Sequence, residues 1–124
     1  MNFLLVMIGG AAGSAGRYAV GRAALRALGP DYPWGTLAVN VIGGFLMGLL
    51  AGLLARAGTG GEQSRLLIGV GLLGGFTTFS AFSLDAVTMI ERGQWGAALA
   101  YALVSVIGAV LALFAGLYLV RVVA

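Results

Sequence analysis

Residues 72–85, LLGGFTTFSAFSLD, combine side-chain types that could hold an ion stripped of part of its water. The stretch contains two adjacent glycines, four hydroxyl residues and three phenylalanines. Phe79 and Phe82 are three residues apart and therefore share one helical face. The neighbouring hydroxyl side chains are those of Thr77, Ser80 and Ser83. Because ring edges carry partial positive charge and hydroxyl groups donate hydrogen bonds, this pattern favours a partly dehydrated anion. The alternative is that the phenylalanines only face lipid or the protein core.

Polar side chains in two other apolar segments favour the anion interpretation. Asn40 lies deep in an uncharged run, one turn after Thr36, while Tyr101 and Ser105 share one helical face. An amide inside a bilayer is costly without a partner, so Asn40 indicates either a site or a bond between helices. The donor-rich, charge-free set consists of Asn40, Thr77, Ser80, Tyr101 and Ser105. A cation pathway would be expected to show acidic rings instead.

The main chain just before the phenylalanines is poorly suited to a regular helix. Four of the seven residues in 69–75 are glycine, and each costs about 1 kcal/mol relative to alanine inside a helix. Thr77 and Thr78 follow, and their side chains can bond local backbone groups. Since the uncharged run 66–84 has its centre at residue 75, a break is predicted near the membrane midplane. Broken helices at that depth commonly bind ions, although a glycine-rich helix can also stay continuous and pack tightly.

Four long uncharged runs define the class of protein. The 124 residues are 60% hydrophobic and 9% charged, whereas a soluble domain is about one quarter charged. The runs are residues 1–16, 32–55, 66–84 and 93–120, each close to or above the ~20 residues of a membrane-spanning helix. We therefore predict an all-α integral membrane protein with a single transmembrane domain over residues 1–124. Its four transmembrane helices are expected over about 3–26, 34–55, 62–91 and 95–120, with the third broken near 74–78.

The arginines are spread almost evenly between the two predicted membrane faces. An even number of spans puts both termini on one side. Arginines on that side are Arg56, Arg65 and Arg121, and those on the other are Arg22, Arg26 and Arg92, joined by Arg17 if it reaches the surface. Orientation normally follows an excess of Lys and Arg on one side, so this balance predicts insertion in both orientations and an antiparallel homodimer. The alternative is that so few charges carry no information about orientation.

Two further patterns concern possible partners. The pI of about 10 comes from arginines scattered along the chain, without a basic stripe, which excludes a nucleic-acid partner. Small residues recur at four-residue spacing, as they do where helices approach closely in lipid. They are Gly9 and Gly13, then Gly44, Gly48 and Gly52, and finally Gly108, Ala112 and Gly116. These stripes suggest oligomerisation, although they can equally pack helices within one subunit.

Three segments carry motifs that become recognisable in combination. They are GGAAGSAGRY (9–18), WGTLAVNVIGGFLMG (34–48) and GLLGGFTTFSAFS (71–83). These segments look like the signature segments of the small fluoride channels, the Fluc/CrcB family. The resemblance covers essentially the whole chain in its length, its number of helices and the order of its motifs. The pattern GG-x-TTFS-x-F is specific, whereas the first segment would be weak alone. The resemblance implies an antiparallel, dual-topology homodimer in the cell membrane, whose two pores export fluoride passively and relieve its toxicity.

The resemblance also implies roles for individual residues. A structural sodium ion is expected on the two-fold axis, held by the backbone carbonyls of Gly74 and Thr77 from each subunit. By the same matching, Phe79 and Phe82 correspond to the family's pore phenylalanines, and Asn40 to its pore asparagine.

Other positions match the family less directly. Polar positions along its pore correspond to Ser80, Tyr101 and Ser105. Arg17 matches an arginine expected near a vestibule, and Asp85 stands at an entry position. The family usually has threonine where Ala81 stands, glutamate where Asp85 stands and often serine where Gly44 stands. Asp85 keeps the charge with a shorter reach, which leaves its entry or gating role open.

Two other classes of membrane protein compete with a channel. A small dual-topology multidrug exporter has a similar length and helix count, but it relies on a carboxylate in its first helix, and residues 1–16 contain none. A non-transporting scaffold subunit would use the same polar residues only to join helices. An enzyme is not expected, because no nucleophile–base pair or metal constellation is present.

Overall fold

The computed structural model describes residues 1–57 and 61–123, and these residues form helices without any β-strand. The helices are α1 (Asn2–Leu28), α2 (Trp34–Ala57), α3 (62–76), α4 (Phe79–Glu91) and α5 (Trp95–Val123). Four spans are long and apolar enough to cross a membrane, with α3 and α4 together forming the third, Glu62–Glu91. The prediction of an all-α membrane protein with four spans is confirmed. The connection between the second and third predicted spans, residues 56–61, lies partly outside the described residues.

Glycines with positive φ end two of the helices. Gly29 follows α1 with φ 81° and bonds back to the Leu25 carbonyl, and Pro30 comes next. Gly93 has φ 79° in the short connection between α4 and α5. Residues with a side chain rarely adopt this left-handed conformation, so both glycines permit sharp turns. The chain therefore reverses direction between α4 and α5 within three residues, 92–94.

The third span has three different backbone conformations. Its first segment, α3, is π-helical over Arg65–Leu73, where the Gly74 N–H bonds to the Gly69 carbonyl five residues back. The π-helix is rare in proteins and often lies next to a functional site. Thr77 (φ −85°, ψ 159°) and Thr78 (φ −151°, ψ 120°) are then extended, and α4 begins at Phe79. The π-helical geometry was not predicted from the residue pattern.

Glycine-lined contacts pair the helices, α1 with α3 and α2 with α5. On α1, a Cβ added to Gly9 or Gly13 would overlap the carbonyl oxygens of Leu67 and Leu72 respectively. A Cβ on Gly44 would lie 2.8 Å from the Ala109 oxygen of α5. Other stripe positions are equally close to the facing helix. An added Cβ would contact Leu113 from Gly48, Val120 from Gly52 and Phe45 from Gly116. All three predicted stripes are thus used inside one chain, so they give no support to oligomerisation.

Replacing Gly13 with alanine is expected to destabilise the protein, because the new methyl group would displace the backbone of α3. Overpacking of this kind typically costs ~1–3 kcal/mol, so the thermal unfolding midpoint in detergent should fall by several degrees. Gly21→Ala is the matched control on the same helix, since no described atom lies within 4 Å of a Cβ placed there. Equal midpoints for the two variants would contradict the close α1–α3 contact.

Candidate functional site

The extended segment at Thr77 and Thr78 is held by the side-chain amide of Asn40 from α2. Asn40 Nδ2 donates to the Thr78 carbonyl oxygen at 3.0 Å, and the Thr78 N–H donates to Asn40 Oδ1 at 2.8 Å. The amide therefore acts as a neighbouring strand would, pairing with both backbone groups of one residue. Buried backbone groups need such partners, especially within a membrane. Asn40 was expected in a pore lining, and its pairing with the Thr78 backbone was not predicted.

The two threonines use their hydroxyl groups to end one helix and begin the next. Thr77 Oγ1 donates to the Leu73 carbonyl at 3.0 Å, within the last turn of α3. Thr78 Oγ1 accepts from the Ala81 N–H at 3.1 Å and lies 3.3 Å from Ser80 Oγ. Thr78 is therefore the N-cap of α4, a position that threonine often occupies. A threonine directly before the helical FSAFS segment was the signal that could have identified this role.

These bonds divert the N–H groups that would normally bond the carbonyls of Gly74 and Thr77. In a continuous α-helix, each carbonyl accepts from the N–H four residues later. The partner of Gly74 would be Thr78, whose N–H donates to Asn40, and that of Thr77 would be Ala81, whose N–H donates to Thr78 Oγ1. Both oxygens predicted to bind sodium have thus lost their helical donors to side-chain acceptors. This geometry fits an oxygen-binding cation.

The side chains that usually bind metal ions form no cluster in the described part of the chain. Residues 1–57 and 61–123 contain no group of three or more His, Cys, Asp or Glu side chains that could hold one. A cation at the carbonyls of Gly74 and Thr77 would be bound by main-chain oxygens, which suit a hard ion such as Na⁺ rather than a transition metal.

Arg17 of α1 also contacts the interrupted span. Its Nε donates to the Gly75 carbonyl oxygen at 3.1 Å, and the side chain is half-buried. The guanidinium also borders an open cavity of about 820 Å³ that extends along α1 to Leu25. The predicted vestibule role is compatible with this cavity and stays a prediction. The contact with Gly75 joins residues 58 positions apart, and no pattern of residues indicated it.

A groove of about 380 Å³ runs beside the extended segment, between α2, α4 and α5. Four of the predicted pore residues line it, namely Asn40, Phe79, Phe82 and Ser105. Its lining also includes Met47, Leu73, Val106, Ala109, Val110 and Leu113, and none of the described lining residues is charged. Ser105 is 7% exposed, and its hydroxyl has no hydrogen-bond partner among the described residues. A buried hydroxyl without a partner is costly, so this atom is available to a ligand in the groove.

Aromatic rings continue from the groove toward the loop between α1 and α2. The Phe82 ring lies 5.5 Å from that of Phe79 and 5.1 Å from that of Tyr101. Tyr101 is fully buried, and the edge-to-face contact with Tyr32 has a centroid distance of 5.6 Å. Burial raises the pKa of the Tyr32 hydroxyl above its usual value, so this group is neutral near pH 7. The groove and the loop are thus joined by a continuous row of rings.

The remaining predicted residues do not line the groove, and they are Tyr101, Asp85, Ser80 and Gly74. Tyr101 donates its hydroxyl hydrogen to Asp85 Oδ2 at 3.1 Å, which ties the predicted entry carboxylate to a predicted pore hydroxyl. Ser80 is exposed, outside the groove lining, and contacts Thr78. Gly74, in the last turn of α3, is exposed as well, whereas the extended residues Thr77 and Thr78 are half-buried. The structure therefore brings most of the predicted residues together and places Ser80 at the margin.

Fold and site together define a small membrane protein of four spans, whose third span is interrupted beside a groove of amide, hydroxyl and aromatic groups. The family described as CrcB-like protein, Camphor Resistance (CrcB), matches residues 4–117, and the chain belongs to this family. A protein of Phenylobacterium zucineum (strain HLK1) is 64% identical over 119 residues, covering 95% of this chain and 94% of its own length. One of Sphingopyxis alaskensis is 56% identical over 122 residues, covering 98% and 97%. Both relatives are named fluoride-specific ion channel FluC.

Proposed function

We propose that this protein is a fluoride-selective passive ion channel that exports fluoride across the cell membrane and relieves its toxicity. The observation that carries the proposal is the family membership, with relatives named as fluoride-specific channels at 64% and 56% identity over nearly the full chain. The uncharged groove supports the same conclusion from the residues themselves. Membership of this family also means that the chain is a multi-pass membrane protein and not an enzyme.

The groove offers an anion the groups that replace lost water. Fluoride is small and strongly hydrated, so donors must compensate for each water that it leaves behind. Ser105 supplies a hydroxyl without another partner, and Phe79 and Phe82 supply ring edges of partial positive charge. Since none of the described lining residues is acidic, no fixed negative charge opposes an anion there. The multidrug exporter is disfavoured, because α1 contains no carboxylate.

The pathway is proposed to be completed by a second copy in the opposite orientation, giving two pores per dimer. Phe79 is 77% exposed in the single chain although it lines the groove, and Gly74 is exposed beside it. Both would be covered by a partner that approaches the interrupted span. An antiparallel copy agrees with the even distribution of arginines along the sequence.

A structural sodium ion is proposed between the two interrupted spans. The carbonyl oxygens of Gly74 and Thr77 from each subunit would hold it, because their helical donors bond to Asn40 and to Thr78 Oγ1. When bound, the ion supplies a fixed positive charge that makes the passage of an anion nearby less unfavourable. Asn40 and Thr78 act by keeping these carbonyls free of competing donors.

Replacement of Na⁺ by a larger monovalent cation throughout purification and assay is expected to lower the thermal unfolding midpoint and to reduce fluoride efflux. A larger ion cannot fit four oxygens fixed by the backbone without moving them. The control is a change of the accompanying anion at constant Na⁺ concentration, which should leave the midpoint unchanged. Indifference of both stability and efflux to the cation would contradict the sodium site.

The cellular function can be tested by growth in fluoride. Bacteria that lack their own fluoride exporters should grow at otherwise inhibitory fluoride concentrations when they express this chain. Cells that express Phe82→Ile at the same level, verified in isolated membranes, should remain sensitive. Rescue by neither protein, despite correct membrane insertion, would count against fluoride export.

A further inference from the structure

Arg17 lies on the same face of α1 as the glycines that contact α3. Gly10, Gly13 and Arg17 follow one another at spacings of three and four residues, which places them on one helical face. A Cβ on Gly75 would come 2.7 Å from the Gly10 carbonyl oxygen, and one on Gly13 would come 2.8 Å from the backbone nitrogen of Phe76. This contact fixes the register of the two helices and brings Arg17 opposite residue 75.

The bond from Arg17 replaces one that the interruption removes. In a continuous α-helix, the Gly75 carbonyl would accept from the N–H of Phe79, but the chain between them is extended at Thr77 and Thr78. Arg17 Nε donates to this carbonyl instead, at 3.1 Å. A bond from a charged donor is stronger than one between neutral groups. A side chain of α1 therefore provides the hydrogen bond for a carbonyl in the last turn of α3.

Asn40 binds the other end of the same segment, at the backbone of Thr78. The chain from 75 to 78 is therefore fixed at both ends, by side chains from α1 and α2. We propose that Arg17 is a positioning residue that, together with Asn40, sets the directions of the main-chain oxygens at 74–77. Its Nε holds the Gly75 oxygen, which keeps that oxygen away from the cation and fixes the backbone between the proposed ligand oxygens of Gly74 and Thr77. This inference rests on the proposed function.

Three substitutions separate the Nε donor from the charge of Arg17. Glutamine places Nε2 at the same position along the side chain as arginine Nε, so Arg17→Gln keeps the donor and removes the charge. Arg17→Lys keeps the charge but has a methylene group at that position. Arg17→Met keeps a similar length without donor or charge. Arg26→Met is the control on the same helix, because Arg26 lies in the last turn of α1, away from the site.

The test measures fluoride efflux from vesicles for wild type and all four variants, with assembly checked by size-exclusion chromatography. Loss of the donor is expected to reduce efflux roughly tenfold or more in Arg17→Met, whereas Arg17→Gln should stay within about threefold of wild type. Arg17→Lys should lie below Arg17→Gln, and Arg26→Met should match wild type. The concentration of Na⁺ that supports half-maximal efflux should rise for Arg17→Met and stay near the wild-type value for Arg17→Gln.

Several results would overturn the inference. Efflux of Arg17→Lys equal to or above that of Arg17→Gln would show that charge matters rather than the donor. Low efflux in both Arg17→Lys and Arg17→Gln, or failure of Arg17→Gln to assemble, would show that a donor at the Nε position is not sufficient. Full activity of Arg17→Met would show that the bond is dispensable. In each of these cases, fluoride efflux by the wild-type protein would still support the proposed function. If the wild-type protein itself gave no fluoride efflux, the proposed function would be contradicted, whatever the variants did.

Discussion

Replacing Phe82 with isoleucine is expected to reduce fluoride efflux from vesicles roughly tenfold or more, equivalent to at least ~1.4 kcal/mol in the barrier. Isoleucine keeps an apolar side chain in the groove but removes the ring edge that an anion would approach. The loss should be confined to conduction, because Phe82 is only partly buried. Efflux and elution volume measured on the same purified sample test this expectation.

The matched control for Phe82→Ile is Phe114→Ile on α5. Phe114 is 62% exposed and lies outside the groove lining, so its replacement should leave efflux unchanged. If Phe82→Ile conducts fluoride as well as the control does, the ring is not part of the pathway. The groove would then have to conduct, if at all, through its hydroxyl and amide groups alone.

Replacing Asn40 with alanine is expected to abolish fluoride efflux and to lower the thermal unfolding midpoint. The change removes the hydrogen bonds at 2.8 and 3.0 Å to the backbone of Thr78. Each backbone group left unsatisfied costs ~1–3 kcal/mol. Without the amide, the Thr78 N–H is also free to bond the Gly74 carbonyl again, which would compete with a cation there.

Gln94→Ala is the control for the amide, because Gln94 is exposed in the connection between α4 and α5. A channel should lose efflux in Asn40→Ala while the protein still assembles, and a scaffold should lose assembly instead. Asn40→Ala with wild-type efflux and stability would contradict both the pairing with Thr78 and its role in conduction.

The four spans were predictable from the sequence, because charge is excluded from the interior of a bilayer and the uncharged runs leave little freedom in where helices lie. The helix ends were less predictable. α5 extends to Val123, beyond the predicted end near 120, and α1 to Leu28, beyond 26. Arginines near these ends can reach the interface with long side chains, so a charge marks the boundary only to within a turn.

The conformation of the third span was harder to predict in detail. The glycines of 69–75 indicated a weak helix, but intrinsic propensity does not specify the π-helix over Arg65–Leu73. Over the same stretch α3 packs closely against Gly9 and Gly13 of α1, a tertiary contact that helix propensity does not contain. For the same reason, the small-residue stripes did not reveal that their partners lie within the chain.

The candidate site was predictable as a set of residues but not as a set of bonds. Residue type and spacing indicated Asn40, Phe79, Phe82 and Ser105, and these four line one groove. The partners of Asn40 and Arg17 are main-chain atoms that only an interrupted helix exposes. Their bonds therefore depend on backbone geometry, which a pattern of side chains does not contain.

The most direct test of fluoride selectivity is ion efflux from vesicles that contain only the purified wild-type protein in Na⁺. With fluoride inside and none outside, we expect rapid efflux through the protein, while identical vesicles loaded with chloride should release it no faster than protein-free vesicles. Equal release of the two anions, or fluoride release at the protein-free rate, would contradict a fluoride-selective channel.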